Sequence, residues 1–289
     1  MNRPTLILLV GIPGSGKTTY AEKYIKEHSN TTHLSSDLIR KELWGSEATQ
    51  GDNNEVFSLM QFRAIDALNN GQNVVYDATN ITRRDRSYII ALCPKFVKIE
   101  CHIIWAPIET CIERDAARKR TVGKEVIDKM LKRFQAPYYD EGIDEIMIKR
   151  PRAFDSVDYE NYIFTAMDIP HDNPHHTLNI MDHCKAAYDH IFYRANKEEF
   201  AAAIIHDVGK PYVKAFIDSK GNPCEIAHYY QHQCVGAWMS YGLDDVTPYI
   251  AWLISVHMDP YLNTKYYNKL PNYLKKQVDL LHEADRNAH

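Results

Sequence analysis

Residues 11–19 read Gly-Ile-Pro-Gly-Ser-Gly-Lys-Thr-Thr, directly after the apolar run Leu6-Ile7-Leu8-Leu9-Val10. Glycines at this spacing let a loop turn so that its amides converge on phosphate oxygens, and a helix starting there adds a favourable dipole. Gly14, Ser15, Gly16, Lys17, Thr18 and Thr19 are therefore expected to hold a nucleoside triphosphate, with Lys17 at the β and γ phosphates and the Thr18 hydroxyl on Mg2+. A second group comprises Asp37, Asp77 and Asn80, with Arg40, Arg83, Arg84, Arg114, Arg118 and Arg120. Phosphoryl transfer needs a carboxylate at the acceptor oxygen and cations around the migrating group. A third group is His183, His206-Asp207, His232, His257 and Asp285, with successive separations of 23, 25, 25 and 28 residues. Spacing this even puts each on its own helix, so that all could converge in one bundle. Mixed imidazole and carboxylate donors suit Mn2+, Fe2+, Co2+, Ni2+ or Zn2+ more than Ca2+. Such an ion serves phosphate ester hydrolysis by activating water and offsetting phosphoryl charge.

The elements that must position these residues follow from periodicity. Strands are expected over 6–10, 31–34, 73–77 and 96–105, with helices over 20–26 and 54–70. Their alternation predicts a parallel sheet with helices on both faces, whose ligands sit at the carboxyl ends of the strands. The run 200–205 predicts a helix ending at His206-Asp207. The other His-Asp doublet, His171-Asp172, lies in Pro-His-Asp-Asn-Pro and reads as loop composition.

Asp37-x-x-Arg40, Asp77-Ala-Thr-Asn80 followed by Arg83 and Arg84, and Arg114, Arg118 and Arg120 resemble the kinase domain of phage polynucleotide 5′-kinase, over about residues 5–150. The resemblance implies that Asp37 is the general base taking the proton from a 5′-hydroxyl and that Arg40 contacts the flanking phosphate. Asp77, Asn80 and Arg83 would lie on the acceptor side, and a helix over 107–120 would be the lid whose Arg114 and Arg118 close over the donor phosphates. Each residue also has a plain alternative. Asp37 could cap the following helix, Arg118-Lys119-Arg120 could be a solvated face, and Asp77 could belong to the Mg2+ shell or orient Arg40. Residues 170–289 resemble the HD superfamily of metal-dependent phosphohydrolases, through His176-Thr177-Leu178, Asp182-His183, His206-Asp207-Val208-Gly209-Lys210 and His232-x-x-x-Gly236-Ala237. That resemblance implies a first metal on His183, His206, Asp207 and Asp285. His232 and His257 would bind a second metal or the substrate phosphate, with Lys210 and His176 as phosphate contacts and Asp207 central to catalysis.

The chain of 289 residues is long enough for two domains, and its 45 % hydrophobic and 25 % charged content is that of a globular protein. Residues 1–152 carry 23 Lys+Arg against 20 Asp+Glu, a net of +3; residues 153–289 carry 11 against 18, a net of −7. Three of the 14 histidines precede residue 153 and 11 follow it. A basic half suits anionic substrates and an acidic, histidine-rich half suits bound cations. The expected division is an α/β P-loop kinase-like domain over 1–150 and an all-α HD-type helical domain over 151–289. Six cysteines without a CxxC pair suggest neither a thiolate zinc site nor a disulfide framework, which fits a reducing cytoplasm. The N-terminal apolar run is too short for a membrane span.

A 5′-kinase joined to a metal phosphohydrolase predicts the healing of broken RNA or DNA ends, with a ligase acting downstream. A small-molecule or nucleoside kinase joined to a nucleotide phosphohydrolase is the first alternative, favoured by the net charge of −4. A non-enzymatic nucleotide sensor is the second.

Overall fold

The computed structural model describes residues 3–46, 51–152, 154–174 and 177–288. The chain divides into two compact units. Unit 1 is residues 1–130 with 137–152, and unit 2 is residues 131–136 with 153–289. The short segment 131–136 thus departs from the boundary expected at 150. Its Phe134 is fully buried and stands edge-on to Trp238 and Tyr241 of unit 2, at ring-centroid separations of 5.4 and 6.1 Å.

Unit 1 runs β1 (Thr5–Val10), α1 (Lys17–Glu27), β2 (Thr31–Ser35), α2 (Ser36–Trp44), α3 (Asn53–Asn69), β3 (Asn73–Asp77), α4 (Arg83–Leu92), β4 (Lys98–Ile104), α5 (Ile108–Ala116), α6 (Lys124–Leu131, whose last residue belongs to unit 2) and β5 (Glu145–Lys149). The five strands form one all-parallel sheet in the order β2-β3-β1-β4-β5. β1 is central and buried on both faces, as its unbroken apolar run requires. On one side Leu9 pairs with Asp77 and on the other with His102, so the sheet reverses its winding at the carboxyl end of β1. Crevices of this kind receive ligands in doubly wound sheets. Ile7, Leu9, Val75 and Ile104 pack with Ala21, and Tyr20, Tyr24 and Ile25 close over them, which fixes α1 and the loop before it against the sheet.

Two sequence expectations need correction here. β5 was not anticipated, because Glu145-Ile-Met-Ile-Lys149 alternates too briefly to stand out. The helix expected over 107–120 ends at Ala116, so Arg118 and Arg120 lie in the loop beyond it. Asp115 accounts for that stop. Its buried carboxylate accepts from Thr121 Oγ1 at 2.6 Å, Val122 N at 3.0 Å and Gly123 N at 2.9 Å, folding the chain back before another helical turn can form.

Unit 2 contains α7 (Ser156–Met167), α8 (Ile180–Ile191), α9 (Lys197–Ile205), α10 (Lys210–Val213), β6 (Ala215–Ile217), β7 (Pro223–His228), α11 (His232–Ser240), α12 (Pro248–Val256), α13 (Asp259–Leu262), α14 (Thr264–Tyr267) and α15 (Asn272–Asn287). It is helical but not all-α as expected. β6 and β7 form an antiparallel hairpin around the turn Asp218-Ser219-Lys220-Gly221-Asn222, where the Asp218 carboxylate accepts from the amides of Lys220 and Asn222. α8 packs on α9 and α15, and α12 packs on α9 and α11. Among the described residues no helix is long and apolar enough to cross a membrane.

Candidate functional site

In unit 1 the loop between β1 and α1 carries left-handed glycines at Gly14 (φ 79°) and Gly16 (φ 104°). A side chain on Gly14 would run into the Cys111 carbonyl, so both conformation and space demand glycine there. Ser15 Oγ is buried and has no hydrogen-bond partner among the described residues, an open donor inside the loop. Lys17 donates to the Gly11 and Ile12 carbonyls at 2.8 and 2.9 Å. Desolvation pushes it down to about 8, against the opposing pull of Asp77 and Asp37; Arg118 adds to the lowering. Those contributions place Asp37, Asp77 and Arg118 within electrostatic reach of the same ammonium. Thr18 Oγ1 donates to Asp77 Oδ2 at 3.1 Å, while Thr19 follows on the exposed side of the first turn.

Asp77 therefore sits beside the threonine of the loop, whereas Arg40 is engaged elsewhere. Arg40 donates to Asp37 Oδ1 at 3.0 Å and to Asn53 Oδ1 at 3.1 Å. The N-cap of α2 is Ser35, not Asp37, whose half-exposed carboxylate instead gathers Arg40 and Arg120 (3.2 Å). Arg114 lies over the loop, its Nη1 4.0 Å from where a Gly16 side chain would begin. Asn80, expected on the acceptor side, is buried with φ 46°, and its amide donates to the Leu9 carbonyl at 2.8 Å. It clamps the ends of β1 and β3 together, because a buried amide must find backbone partners. Arg83 heads α4, and the exposed Arg84 donates to Tyr88 at 2.8 Å. Beneath them Arg86, wholly buried, forms a bidentate pair with Glu141 at 2.7 Å and donates to the Asn80 carbonyl.

In unit 2, His183 lies on α8, His206 caps the C-terminus of α9 with Asp207 next, His232 opens α11, His257 caps the C-terminus of α12, and Asp285 lies on α15. One ligand atom from each of His183, His206, Asp207 and Asp285 falls within 4.8 Å of the others, and Asp207, His232 and His257 make a second such group. The four imidazoles are oriented alike. Nδ1 faces a backbone carbonyl in every case: Ala288 at 2.7 Å for His183, Ala203 at 2.8 Å for His206, Tyr229 at 2.9 Å for His232 and Ile254 at 2.8 Å for His257. A carbonyl only accepts, so Nδ1 carries a proton and Nε2 points into the cluster, the orientation that metal-binding histidines adopt. His183 Nε2 is 2.9 Å from Asp285 Oδ1, His206 Nε2 is 3.3 Å from Asp207 Oδ2, and His232 Nε2 is 3.2 Å from Asp207 Oδ1. The Nε2 atoms of His232 and His257 approach to 3.2 Å.

These donors fit a divalent transition ion. Among the described residues, His206 Nε2 and both Asp207 oxygens are buried without a well-directed hydrogen bond, although the Lys210 ammonium lies 2.5 Å from Asp207 Oδ2 as an ion pair. Desolvation disfavours charge here, yet His206 and Lys210 hold the Asp207 carboxyl well below the ordinary range. Asp207 in turn raises His206 well above the ordinary imidazole value, so the cluster attracts positive charge. His257 is pushed down to about 3 by burial and by the neighbouring His232 and His206, and it stays neutral. His176, expected as a phosphate contact, lies outside the described residues.

His171 lies in a loop, as its Pro-His-Asp-Asn-Pro context suggests, yet it is engaged with the cluster: it is 1 % exposed, its Nδ1 donates to the Leu178 carbonyl at 2.8 Å, and its Nε2 lies 3.2 Å from Lys210 Nζ. Asp115, which holds the loop after α5, and His33, whose Nε2 is 3.2 Å from Asp77 Oδ2, are also partners that spacing alone does not reveal.

Residues 6–137 match the family model described as AAA domain, a little under half of the chain. This segment has a fold consistent with a P-loop kinase domain. Over 166 residues the chain is 25 % identical to "Transcription factor bHLH140" of Arabidopsis thaliana, covering 55 % of this chain and 17 % of that protein. It is 29 % identical over 145 residues to the L-seryl-tRNA(Sec) kinase of Methanococcus maripaludis, covering 46 % and 53 %. The chain thus spans about half the length, or less, of these curated relatives. A chain of the Pnkp1/Rnl/Hen1 RNA repair complex is 26 % identical with a TM-score of 0.41, over 45 % of this chain and 43 % of that one.

Proposed function

We propose that this chain heals nucleic-acid ends. The P-loop kinase domain transfers the γ-phosphate of ATP to a 5′-hydroxyl, and unit 2 removes a terminal 3′-, 2′- or cyclic phosphate. The observation that carries the first half is the half-exposed Asp37 carboxylate, paired with Arg40 and Arg120 and within electrostatic reach of Lys17. Asp37 takes the acceptor proton, Lys17 and Arg118 offset charge on the migrating group, and Thr18 with Asp77 would hold Mg2+. A cation one helical turn from the base favours an acceptor that carries its own phosphate, because a bare sugar or nucleoside offers Arg40 nothing to bind. A relative named for phosphorylating a seryl-tRNA fits a kinase acting on an RNA-borne hydroxyl.

The second half rests on the convergence of four Nε2 atoms and two carboxylates. His183, His206, Asp207 and Asp285 would hold one transition ion, and His232 and His257 would share a second with Asp207. Such ions supply Lewis acidity toward phosphoryl oxygens. The chain's own part is to orient the imidazoles through their carbonyl partners, exclude water and offer Lys210 to the phosphate. The products, a 5′-phosphate and a free hydroxyl, are what a ligase consumes.

The test incubates the chain with 5′-hydroxyl and 3′-phosphate oligonucleotides of RNA and DNA, with ATP and Mn2+, and reads both ends. Transfer to oligonucleotides at least about tenfold faster than to free nucleosides is expected from the added charge-assisted contact at Arg40. Equal rates would return the domain to a nucleoside or small-molecule kinase, the reading that the net charge of −4 favours.

A further inference from the structure

We propose that His171 is a positioning residue that aims the ammonium of Lys210 at a phosphate oxygen. The proposal rests on the phosphohydrolase reading of unit 2 and adds to it a residue outside both candidate ligand groups. Lys210 is only 5 % exposed, and a buried cation must be surrounded by acceptors. Among the described residues it has three neighbours of that kind: Asp207 Oδ2 at 2.5 Å, His171 Nε2 at 3.2 Å and the face of the Tyr229 ring at 5.5 Å. Asp207 is also common to both candidate ligand groups, so a divalent ion competes with Lys210 for its oxygens. His171 then becomes the side-chain acceptor that keeps the ammonium from swinging away.

The imidazole is built to accept. Its Nδ1 proton goes to the Leu178 carbonyl at 2.8 Å, which leaves the Nε2 lone pair for Lys210. Its place is fixed independently: Tyr229 donates its hydroxyl to the His171 carbonyl, and the two rings stand edge to face at 5.9 Å. One residue therefore supplies both the aromatic face under the ammonium and an anchor for the imidazole beside it. With one N–H on His171 and another on Asp207, a third N–H of Lys210 remains for a ligand oxygen. The ligand this arrangement suits is the phosphate of a monoester or inorganic phosphate itself.

The experiment measures inorganic phosphate binding to the Mn2+-loaded full chain by calorimetry and as product inhibition, together with Mn2+ affinity, for His171→Leu and His171→Gln. His171→Leu should weaken phosphate about tenfold, the usual worth of one orienting bond to a charge, and leave Mn2+ affinity unchanged. His171→Gln, which retains an acceptor able to reach Lys210, should restore most of the loss. If His171→Leu fails to fold, His171→Asn replaces it: it keeps a donor toward Leu178, is too short for Lys210, and should show the same loss. Wild-type phosphate affinity in the Leu or Asn variant overturns the proposal. So does a parallel fall in Mn2+ affinity, which would make His171 a support of the ligand cage. A wild-type chain that hydrolyses no phosphate ester but shows this ordering of phosphate affinities would sink the phosphohydrolase reading and leave the positioning role standing.

Discussion

Lys17 sits near its protonation threshold before any nucleotide arrives, because desolvation has pushed it down to about 8 from an ordinary 10.5. A triphosphate favours the charged form, so binding between that value and the higher one of the complex must take up a proton. ATP affinity should therefore be flat below pH 7 and weaken as pH rises through 8, approaching about tenfold per unit. Calorimetry in buffers of different ionisation enthalpy would register the proton uptake, and an affinity that stays constant to pH 9.5 would contradict it. Asp37 makes a complementary prediction. Asp37→Asn keeps the size of the side chain and its contacts with Arg40 and Arg120 but cannot take a proton. Transfer to a 5′-hydroxyl should fall by about 10²- to 10⁴-fold with ATP binding intact. Near wild-type transfer in that variant would make Asp37 an anchor for the two arginines and nothing more.

Elements are held in place here by single buried carboxylates. Asp115 gathers Thr121, Val122 and Gly123 and so shapes the loop that carries Arg118 and Arg120 past the end of α5. Asp115→Ala should release those donors and lower kcat more than it weakens ATP binding, since a loop arginine acts mostly on charge that develops during transfer. A steady-state comparison in which only KM for ATP moves would put Arg118 back among solvated surface charges. The Arg86–Glu141 pair does similar work for the segment between β3 and α4. Glu141→Ala would remove the bidentate carboxylate from a fully buried guanidinium, while its hydrogen bond to the Asn80 carbonyl stays. Breaking such a pair costs about 3–5 kcal/mol, which should appear in the unit 1 transition of a urea titration.

The two compact units have their own cores and their own candidate chemistry. Asp207→Ala removes a donor common to both candidate ligand groups and a charge that balances the cation, so metal affinity should collapse. Removal of a terminal 3′- or 2′-phosphate in Mn2+, Co2+ or Ni2+ should vanish while 5′-phosphorylation persists. Chelation followed by Mg2+ should divide the activities in the same way. Paired end-labelled assays decide the matter: loss of both activities in Asp207→Ala would mean that the units do not act independently.

The amino-acid sequence alone determined that a phosphate loop follows a buried strand, since glycine spacing and an unbroken apolar run are local properties that no packing alters. It also placed the His and Asp residues of unit 2 at helical intervals, because one residue per helix leaves an even spacing. What only the tertiary structure decided are the partners. Asp77 lies beside Thr18 and not Arg40, and Asn80 is spent on the Leu9 carbonyl. Arg120 reaches Asp37 across 83 residues of sequence, and His171 meets Lys210 across 39. A hydrogen bond is fixed by direction within about 3 Å, and the sequence holds no record of direction between residues that far apart. The hairpin β6–β7 and the early stop of α5 were hidden for a related reason: two short strands, of three and six residues, and one buried carboxylate outweigh the local preference only once the rest of the fold supplies their neighbours.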